Sequence, residues 1–227
     1  MDPSIEEARA LVSDPALWPR VRDFLWDFAP QVHESWLEGL EREAPDAGRE
    51  AVSSLVSRLA SSPRAKQFLL SSLGVEPFFH SFPKDDGSRL ALLDGATLLE
   101  IAKWLGALAF APALRRVTDG ATVRALKAEL AGVYPDVFSF TAYFGELKGG
   151  NPETERPEAG SVVPSGMAML LSALPDVPPL VSRLKFKLPK PLAERLPAPG
   201  LRPPTLNPKT IPKLLKLRFP EAHSLCC

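Results

Sequence analysis

The longest helix-forming pattern in the chain runs from Leu92 to Gly132. In its first half, apolar residues recur at spacings of three and four, which places them along one face of a helix. These residues are Leu98, Ile101, Ala102, Leu105, Leu108 and Ala109. The same spacing returns after Pro112, at Val123, Leu126 and Leu130. We predict a central pair of helices, forming a helical hairpin or a sharply bent pair, with Trp104 and Leu105 in the buried centre.

The tetrapeptide Asp-Gly-Ala-Thr precedes both helical patterns, at residues 94–97 and 119–122. An aspartate in this position accepts hydrogen bonds from the free backbone N–H groups of the first helical turn, and its charge suits the positive end of the helix dipole. We interpret both copies as helix N-caps in preference to a duplication, because beyond the four residues only the apolar spacing continues.

Helical periodicity also recurs before and after the central pair. It predicts helices near residues 3–13, 18–28, 31–43, 46–61, 63–73, 164–174, 178–187 and 212–219. Ser62 is the expected N-cap of its helix, and Gly74 is placed just past the end of that helix, where a positive φ is tolerated. Residues 75–91 suit a strand or an apolar loop over the core. Residues 133–144 suit a short helix or an extended packed segment.

Together these patterns predict an all-α fold, a single compact multi-helix domain over residues 1–227 around the central helix pair. Residues 1–144 form the helical bulk. Residues 145–160 are polar and rich in Gly, Pro and Glu, which is typical of a mobile surface loop. Residues 161–227 form a basic, Pro-rich helical C-terminal subsection, in which Pro197 to Pro208 is expected to be extended.

The chain has a formal net charge of zero, but its charges are unevenly distributed. Residues 1–60 carry 12 acidic and 6 basic side chains, whereas residues 161–227 carry 3 acidic and 10 basic ones. The basic segment would suit an acidic partner or anionic lipid head groups; alternatively, the two ends neutralise each other within one fold. No apolar run reaches about 18 residues, and the first residues are acidic and polar, so we expect no membrane span and no signal peptide.

The sequence offers no catalytic, cofactor-binding or metal-binding constellation. Its three histidines are dispersed, and it contains no G-x-S-x-G, no H-E-x-x-H and no glycine-rich phosphate loop. The adjacent Cys226 and Cys227 resemble the prenylation signal of membrane-trafficking GTPases, but without a phosphate-binding loop we interpret them as frayed terminal thiols. The neutral charge and the lack of aromatics interleaved with the basic tail argue against nucleic-acid binding. We therefore expect a protein that is not an enzyme.

Three segments resemble the YscK/SctK family of type III secretion sorting-platform proteins. The first is LLEIAKWLGALAFAPALRRV at residues 98–117, followed by VRALKAEL at 123–130. The second is SGMAMLLSALPDVPPLVSRLKFKLP at residues 165–189, and a fainter similarity covers residues 212–225. The segments follow the order and approximate spacing of the family. The first ninety residues carry no such resemblance.

The resemblance implies a non-enzymatic cytoplasmic adaptor of the injectisome, located at the cytoplasmic face of the bacterial inner membrane and peripheral to it. The implied partners are the cytoplasmic domain of the inner-membrane ring protein SctD and the pod protein SctQ, and indirectly the stator SctL and the ATPase SctN. It implies no cofactor and no nucleic acid. The alternative is a small helical chaperone or regulatory protein that binds a single client.

Two groups of cations are candidate partner-binding residues. Arg115 and Arg116 end the first central helix, where a cation also stabilises the helix dipole. Arg183, Lys185 and Lys187 alternate with core residues on a short helix and are predicted to point outward. We expect these three to contact an acidic face of a platform protein, with charge speeding the encounter and fixing the orientation.

Overall fold

The computed structural model describes residues 17–43, 62–75, 82–83, 86–144, 160–196 and 209–226. Within these ranges all regular structure is helical and no β-strand occurs, which confirms the predicted all-α fold class. The α-helices of the first half are α1 (Trp18–Trp26), α2 (Glu34–Glu43), α3 (Pro63–Ser72), α4 (Gly95–Ala109), α5 (Ala111–Leu114) and α6 (Gly120–Leu130). They are followed by α7 (Val133–Phe144), α8 (Val162–Ser172), α9 (Pro178–Phe186), α10 (Lys190–Ala193), α11 (Thr210–Arg218) and α12 (Pro220–Cys226). Residues Ala29–Gln31 and Asp86–Leu92 form 3-10 helices.

Several predicted features lie outside the described residues. They are the helices near residues 3–13 and 46–61, residues 145–159 of the expected loop, and the Pro-rich stretch up to Pro208. Of the segment expected to be a strand or a loop, residues 86–92 form a 3-10 helix, and residues 76–81 are not described.

The chain divides into two compact units, each built from two stretches of sequence. Unit 1 consists of Met1–Gly95 with Pro175–Ala193, and unit 2 consists of Ala96–Leu174 with Glu194–Cys227. The C-terminal subsection that the sequence predicts is therefore divided between the two units, because α9 and α10 belong to unit 1 whereas α11 and α12 belong to unit 2.

The core of unit 1 forms around α1. Val21, Phe24 and Leu25 follow helical spacing and are buried, and the Phe24 ring makes edge contacts with Phe28 and Phe82 at centroid distances of 5.7 and 5.8 Å. Such edge-to-face pairs stabilise a core beyond the area that they bury. The apolar face predicted for this helix is thus confirmed.

Helix α3 of unit 1 has the two ends that the sequence predicts. The Ser62 side chain accepts a hydrogen bond of 3.3 Å from the Ala65 N–H, and Pro63 occupies the first turn. After the helix, Gly74 adopts a φ of 67°, a conformation that costs glycine little. Both end predictions are therefore confirmed.

In unit 2, α4 carries the apolar stripe that the spacing of residues 98–109 predicts. Leu98, Ile101 and Leu105 are completely buried, and Trp104 is also buried, as predicted. The second central helix, α6, follows the short α5 and begins with its predicted cap, because the Asp119 carboxylate accepts a 2.8 Å bond from the Thr122 N–H.

The backbone of α8 lies directly against that of α4. A Cβ placed on Gly106 would overlap the carbonyl of Val162, and one placed on Gly166 would overlap the carbonyl of Ala102. Glycine at both positions therefore lets the two backbones approach more closely than side chains would allow. The apolar stripe on α4 thus packs against α8, which follows the second central helix, α6, in the sequence.

The start of α8 is capped by a side chain from another helix. Ser161, the residue before α8, makes no side-chain capping bond. Instead, the Glu129 carboxylate of α6 accepts hydrogen bonds from the N–H groups of Gly160 and Val163, at 2.6 and 2.9 Å. The carboxylate satisfies backbone donors that have no partner within the helix, and its charge suits the helix dipole. Glu129 therefore joins α6 to α8.

Candidate interaction surface

Two of the five predicted partner-binding cations are buried inside unit 1. Arg183 is 0% exposed and Lys187 is 3% exposed, whereas Lys185 is half-buried. The prediction that Arg183 and Lys187 point outward is wrong. Successive residues of a helix are rotated by about 100°, so positions 180, 183, 184 and 187 share one face. Arg183 and Lys187 therefore lie on the buried face with Leu180 and Leu184; alternation along the chain is a strand pattern.

The Arg183 guanidinium closes the C-terminal end of α1. Its Nη1 donates hydrogen bonds to the carbonyl oxygens of Phe24 and Leu25, the second at 3.0 Å. Its Cζ lies 5.7 Å from the Phe24 ring centroid and 5.3 Å from that of Phe28. A cation suits this position because the last carbonyls of a helix lack partners within the helix and carry partial negative charge. Arg183 thus holds α9 against α1.

Lys187 makes a similar contact one helical turn later. Its Nζ donates to the carbonyl oxygens of Ala91 and Leu93, at 2.7 and 2.9 Å, and lies 5.1 Å from the Phe24 ring centroid. Burial lowers the pKa of Lys187 from its ordinary 10.5 to about 7, although the charge of Asp94 opposes this change. The buried amino group, which donates to both carbonyl oxygens, therefore has a structural role in unit 1.

Arg115 and Arg116 lie directly after α5 and are both exposed. Arg115 is held against α7, because its Nη2 donates to the Phe138 carbonyl oxygen at 3.1 Å and to Thr141 Oγ1 at 2.9 Å. Its Cζ also lies 5.6 Å from the Phe138 ring centroid. Arg115 therefore has a fixed position at the surface of unit 2.

Cations from α11 contact α7 at other positions. The Cζ of Arg218 lies 4.5 Å from the Trp104 ring centroid and 5.1 Å from that of Phe140, and its Nη2 pairs with Asp136 Oδ2 at 3.2 Å. On the same helix, about one and a half turns before Arg218, Lys213 Nζ donates to the Tyr143 carbonyl oxygen of α7. Stacking on aromatic faces holds an arginine in one geometry while its edge stays accessible.

Two large apolar side chains are exposed beside these cations. Tyr143 on α7 is 61% exposed, and Leu217 on α11 is 46% exposed. Leu217 follows Lys213 by one helical turn, so the two side chains are neighbours on α11. We call Arg115, Tyr143, Lys213, Leu217 and Arg218 the basic aromatic surface. Of these residues the sequence predicted only Arg115; the helix predicted at residues 212–219, within the basic C-terminal subsection, was the signal for the others on α11.

The described part of the chain also bears on metal binding, membrane spanning and the terminal cysteines. No group of three His, Cys, Asp or Glu side chains comes together there in a way that would hold a metal ion. None of the described helices has the length and apolar character needed to cross a membrane. Cys226, expected to be a frayed thiol, is buried at the end of α12, and Cys227 lies outside the described residues.

The chain matches the model of a known protein family. The family model for YOP proteins translocation protein K (YscK) matches residues 29–209, which is well over half of the chain. The match extends into the first ninety residues, in which the sequence patterns alone show no resemblance. No curated protein and no solved structure matches the chain significantly.

Proposed function

The chain belongs to the YscK family of type III secretion proteins, and from this membership we propose that it is a non-enzymatic adaptor of the injectisome sorting platform. It links the cytoplasmic domain of the ring protein SctD to the pod protein SctQ, which carries the stator SctL and the ATPase SctN. It acts at the cytoplasmic face of the inner membrane, is peripheral to that membrane, and is needed for the secretion of virulence proteins.

The observation that supports an adaptor is that each compact unit exposes large apolar side chains. In unit 1, Trp26 is 49% exposed and packs edge-on against Trp18 with ring centroids 5.6 Å apart, and Phe68 is 60% exposed. In unit 2, Tyr143 and Leu217 are exposed within the basic aromatic surface. Aromatic residues are enriched at protein interfaces and contribute much of their binding energy. A protein that joins two others needs such a surface for each.

Affinity purification from the host bacterium tests this function. The tagged chain replaces the chromosomal copy, membranes are solubilised with mild detergent, and the captured proteins are identified by mass spectrometry against an untagged strain. An adaptor captures the ring and pod proteins together, accompanied by the stator and the ATPase. Capture of one secreted client without ring or pod protein would instead support the chaperone alternative and contradict the adaptor.

Deletion of the gene provides a second readout. An adaptor of the platform is required for secretion as a whole, so the deletion strain should release none of the secreted substrates, and the wild-type gene supplied on a plasmid should restore them all. Loss of a single substrate, with the others secreted normally, would indicate a client-specific chaperone.

A further inference from the structure

We propose that the basic aromatic surface of unit 2 binds an acidic segment of a partner protein, in which carboxylates flank an apolar side chain. The inference deepens the proposed function and rests on it in one respect, namely that the chain acts by binding proteins. It concerns only Arg115, Tyr143, Lys213, Leu217 and Arg218, together with the helices that hold them.

The first argument is the distribution of charge around α7. Arg115 contacts this helix at Phe138 and Thr141, whereas Arg218 contacts it at Asp136 and Phe140. Positions 138 and 141 lie on a different side of the helix from positions 136 and 140, because each residue adds about 100° of rotation. The cations therefore flank α7 on two sides.

Few acidic side chains offset these cations. Arg116 after α5 and Lys216 on α11 are exposed as well. Among the charged residues described on α7, α11 and the start of α12, the acidic ones are Asp136, which already pairs with Arg218, and the exposed Glu221. The surface thus has a net positive charge, and an acidic partner would be attracted to it and oriented by it.

The second argument is that the arginines are already fixed in place. Arg115 makes both of its described hydrogen bonds through Nη2, and a guanidinium carries five N–H donors, so this exposed group keeps donors for a carboxylate. Arg218 is held by two aromatic rings and one carboxylate. Side chains that are ordered before binding lose less conformational entropy when a partner arrives.

The third argument is the apolar contact area beside the charges. Lys213 connects the exposed Tyr143 and Leu217, because its Nζ donates to the Tyr143 carbonyl and Leu217 lies one turn after it on α11. Tyrosine and arginine are both enriched among the residues that dominate binding energy. An apolar side chain of the partner would pack here while its flanking carboxylates meet the cations.

A protein segment fits this surface better than the two other possible occupants. An anionic membrane attracts Lys and Arg side chains by charge alone, whereas here the carboxylates of Asp136 and Glu221 lie among the cations and Arg218 is bound to specific protein groups. A second copy of the chain docked through the same surface would bring cations to face cations across a two-fold axis, which is unfavourable.

Two double variants test the surface without removing the arginines that hold its helices together. Lys213→Glu with Lys216→Glu reverses charge, and Tyr143→Ser with Leu217→Ser removes the apolar area. The matched controls change residues elsewhere that are equally exposed: Arg64→Glu with Arg124→Glu, and Phe68→Ser. Circular dichroism should be unchanged and the melting temperature nearly so in all four proteins, because every substituted side chain is exposed and an exposed hydrogen bond such as that of Lys213 contributes little to stability.

Binding of the purified cytoplasmic domain of SctD and of purified SctQ from the same bacterium is then measured by interferometry. We expect both surface variants to bind the same one of these two proteins about tenfold more weakly than the wild type does. An effect of this size is typical of a residue that matters at an interface. The controls should bind that protein as the wild type does, and wild-type binding should weaken as salt is added. Wild-type affinity of both surface variants for both proteins would overturn the inference.

Two further measurements separate this inference from the proposed function. If the wild-type chain binds neither SctD nor SctQ, the proposed function fails. The inference is then tested by itself, by measuring the binding of a synthetic amphipathic helical peptide of Glu and Leu. Salt-sensitive binding of this peptide that both surface variants lose would support the inference; no binding would overturn it. Co-sedimentation with phosphatidylglycerol vesicles tests for a membrane site. If the wild type binds the vesicles, both surface variants do not, and the wild type binds neither protein nor the peptide, the inference is overturned in favour of a membrane site.

Discussion

The Nζ of Lys187 lies 2.9 Å from the carbonyl oxygen of Leu93, and both residues are buried. The bond joins α9 to the segment that directly precedes α4, across 94 positions of sequence. With Arg183 on the end of α1, it makes residues 175–193 an integral part of unit 1. Two of the basic side chains in this stretch thus serve the core of unit 1.

The pH dependence of stability should report the burial of Lys187. Its pKa is about 7 in the folded protein and 10.5 as the ordinary value. Between these values the unfolded state binds more protons, so raising the pH favours folding. The stabilising contribution is therefore complete above about pH 10.5 and is lost as the pH falls to about 7; it amounts to roughly 5 kcal/mol at most.

Urea unfolding of the wild type and of Lys187→Met between about pH 7 and pH 10 measures this contribution. The variant lacks the titrating group and controls for every other residue that ionises in this range. We expect the wild type to gain stability relative to the variant as the pH rises. Parallel stability curves would show that Lys187 keeps its ordinary pKa in the folded state.

Removal of the Glu129 carboxylate should destabilise unit 2. Its two oxygens accept the hydrogen bonds of Gly160 and Val163 at the start of α8. Glu129→Ala leaves both N–H groups without this acceptor and should lower the free energy of unfolding by about 1.5–3 kcal/mol. Glu129→Gln keeps one acceptor oxygen and should lose less. Glu38→Ala, on the exposed side of α2, is the control and should unfold like the wild type.

Alanine substitution of the two contact glycines should also destabilise unit 2. A methyl group at Gly106 or Gly166 would overlap a carbonyl of the facing helix, and helices forced apart in this way typically lose about 1–3 kcal/mol. A methyl group on Gly132 would meet none of the described atoms within 4 Å, so Gly132→Ala should leave the melting temperature unchanged or raise it slightly. Equal melting temperatures for all three variants would contradict the close approach of α4 and α8.

A buried charge on α4 should unfold the protein. Leu105 is completely buried, and Leu105→Asp places an unpaired carboxylate in the core at a cost of several kcal/mol, a large part of the roughly 5–15 kcal/mol typical of a domain. The control Leu217→Asp changes an exposed side chain and should keep the circular dichroism of the wild type. A folded Leu105→Asp protein would show that α4 is not central to unit 2.

The predictable parts of this fold depend on local spacing. Burial of Leu98, Ile101 and Leu105 follows from positions that are three and four residues apart, and the caps at Ser62 and Asp119 need only neighbouring backbone groups. Both signals can be read in the sequence because the interacting groups lie within one helix or one turn.

The unpredicted contacts join residues that are far apart in the sequence. Helical spacing does place Arg183 and Lys187 with Leu180, but charged side chains are rarely buried without partners. Their partners are carbonyl oxygens of α1 and of the segment before α4, which only the folded chain brings together. The same holds for the stacking of Arg218 on Trp104, which places unpredicted residues in the basic aromatic surface.

Simultaneous binding of two platform proteins is the property that defines the proposed adaptor. Purified chain, SctD cytoplasmic domain and SctQ are mixed, separated by size-exclusion chromatography, and the mass of each species is measured by light scattering. An adaptor gives one species that contains all three proteins, whereas SctD and SctQ without the chain elute separately. Binding of SctD and SctQ in separate species only, or of neither protein, would contradict the proposed function.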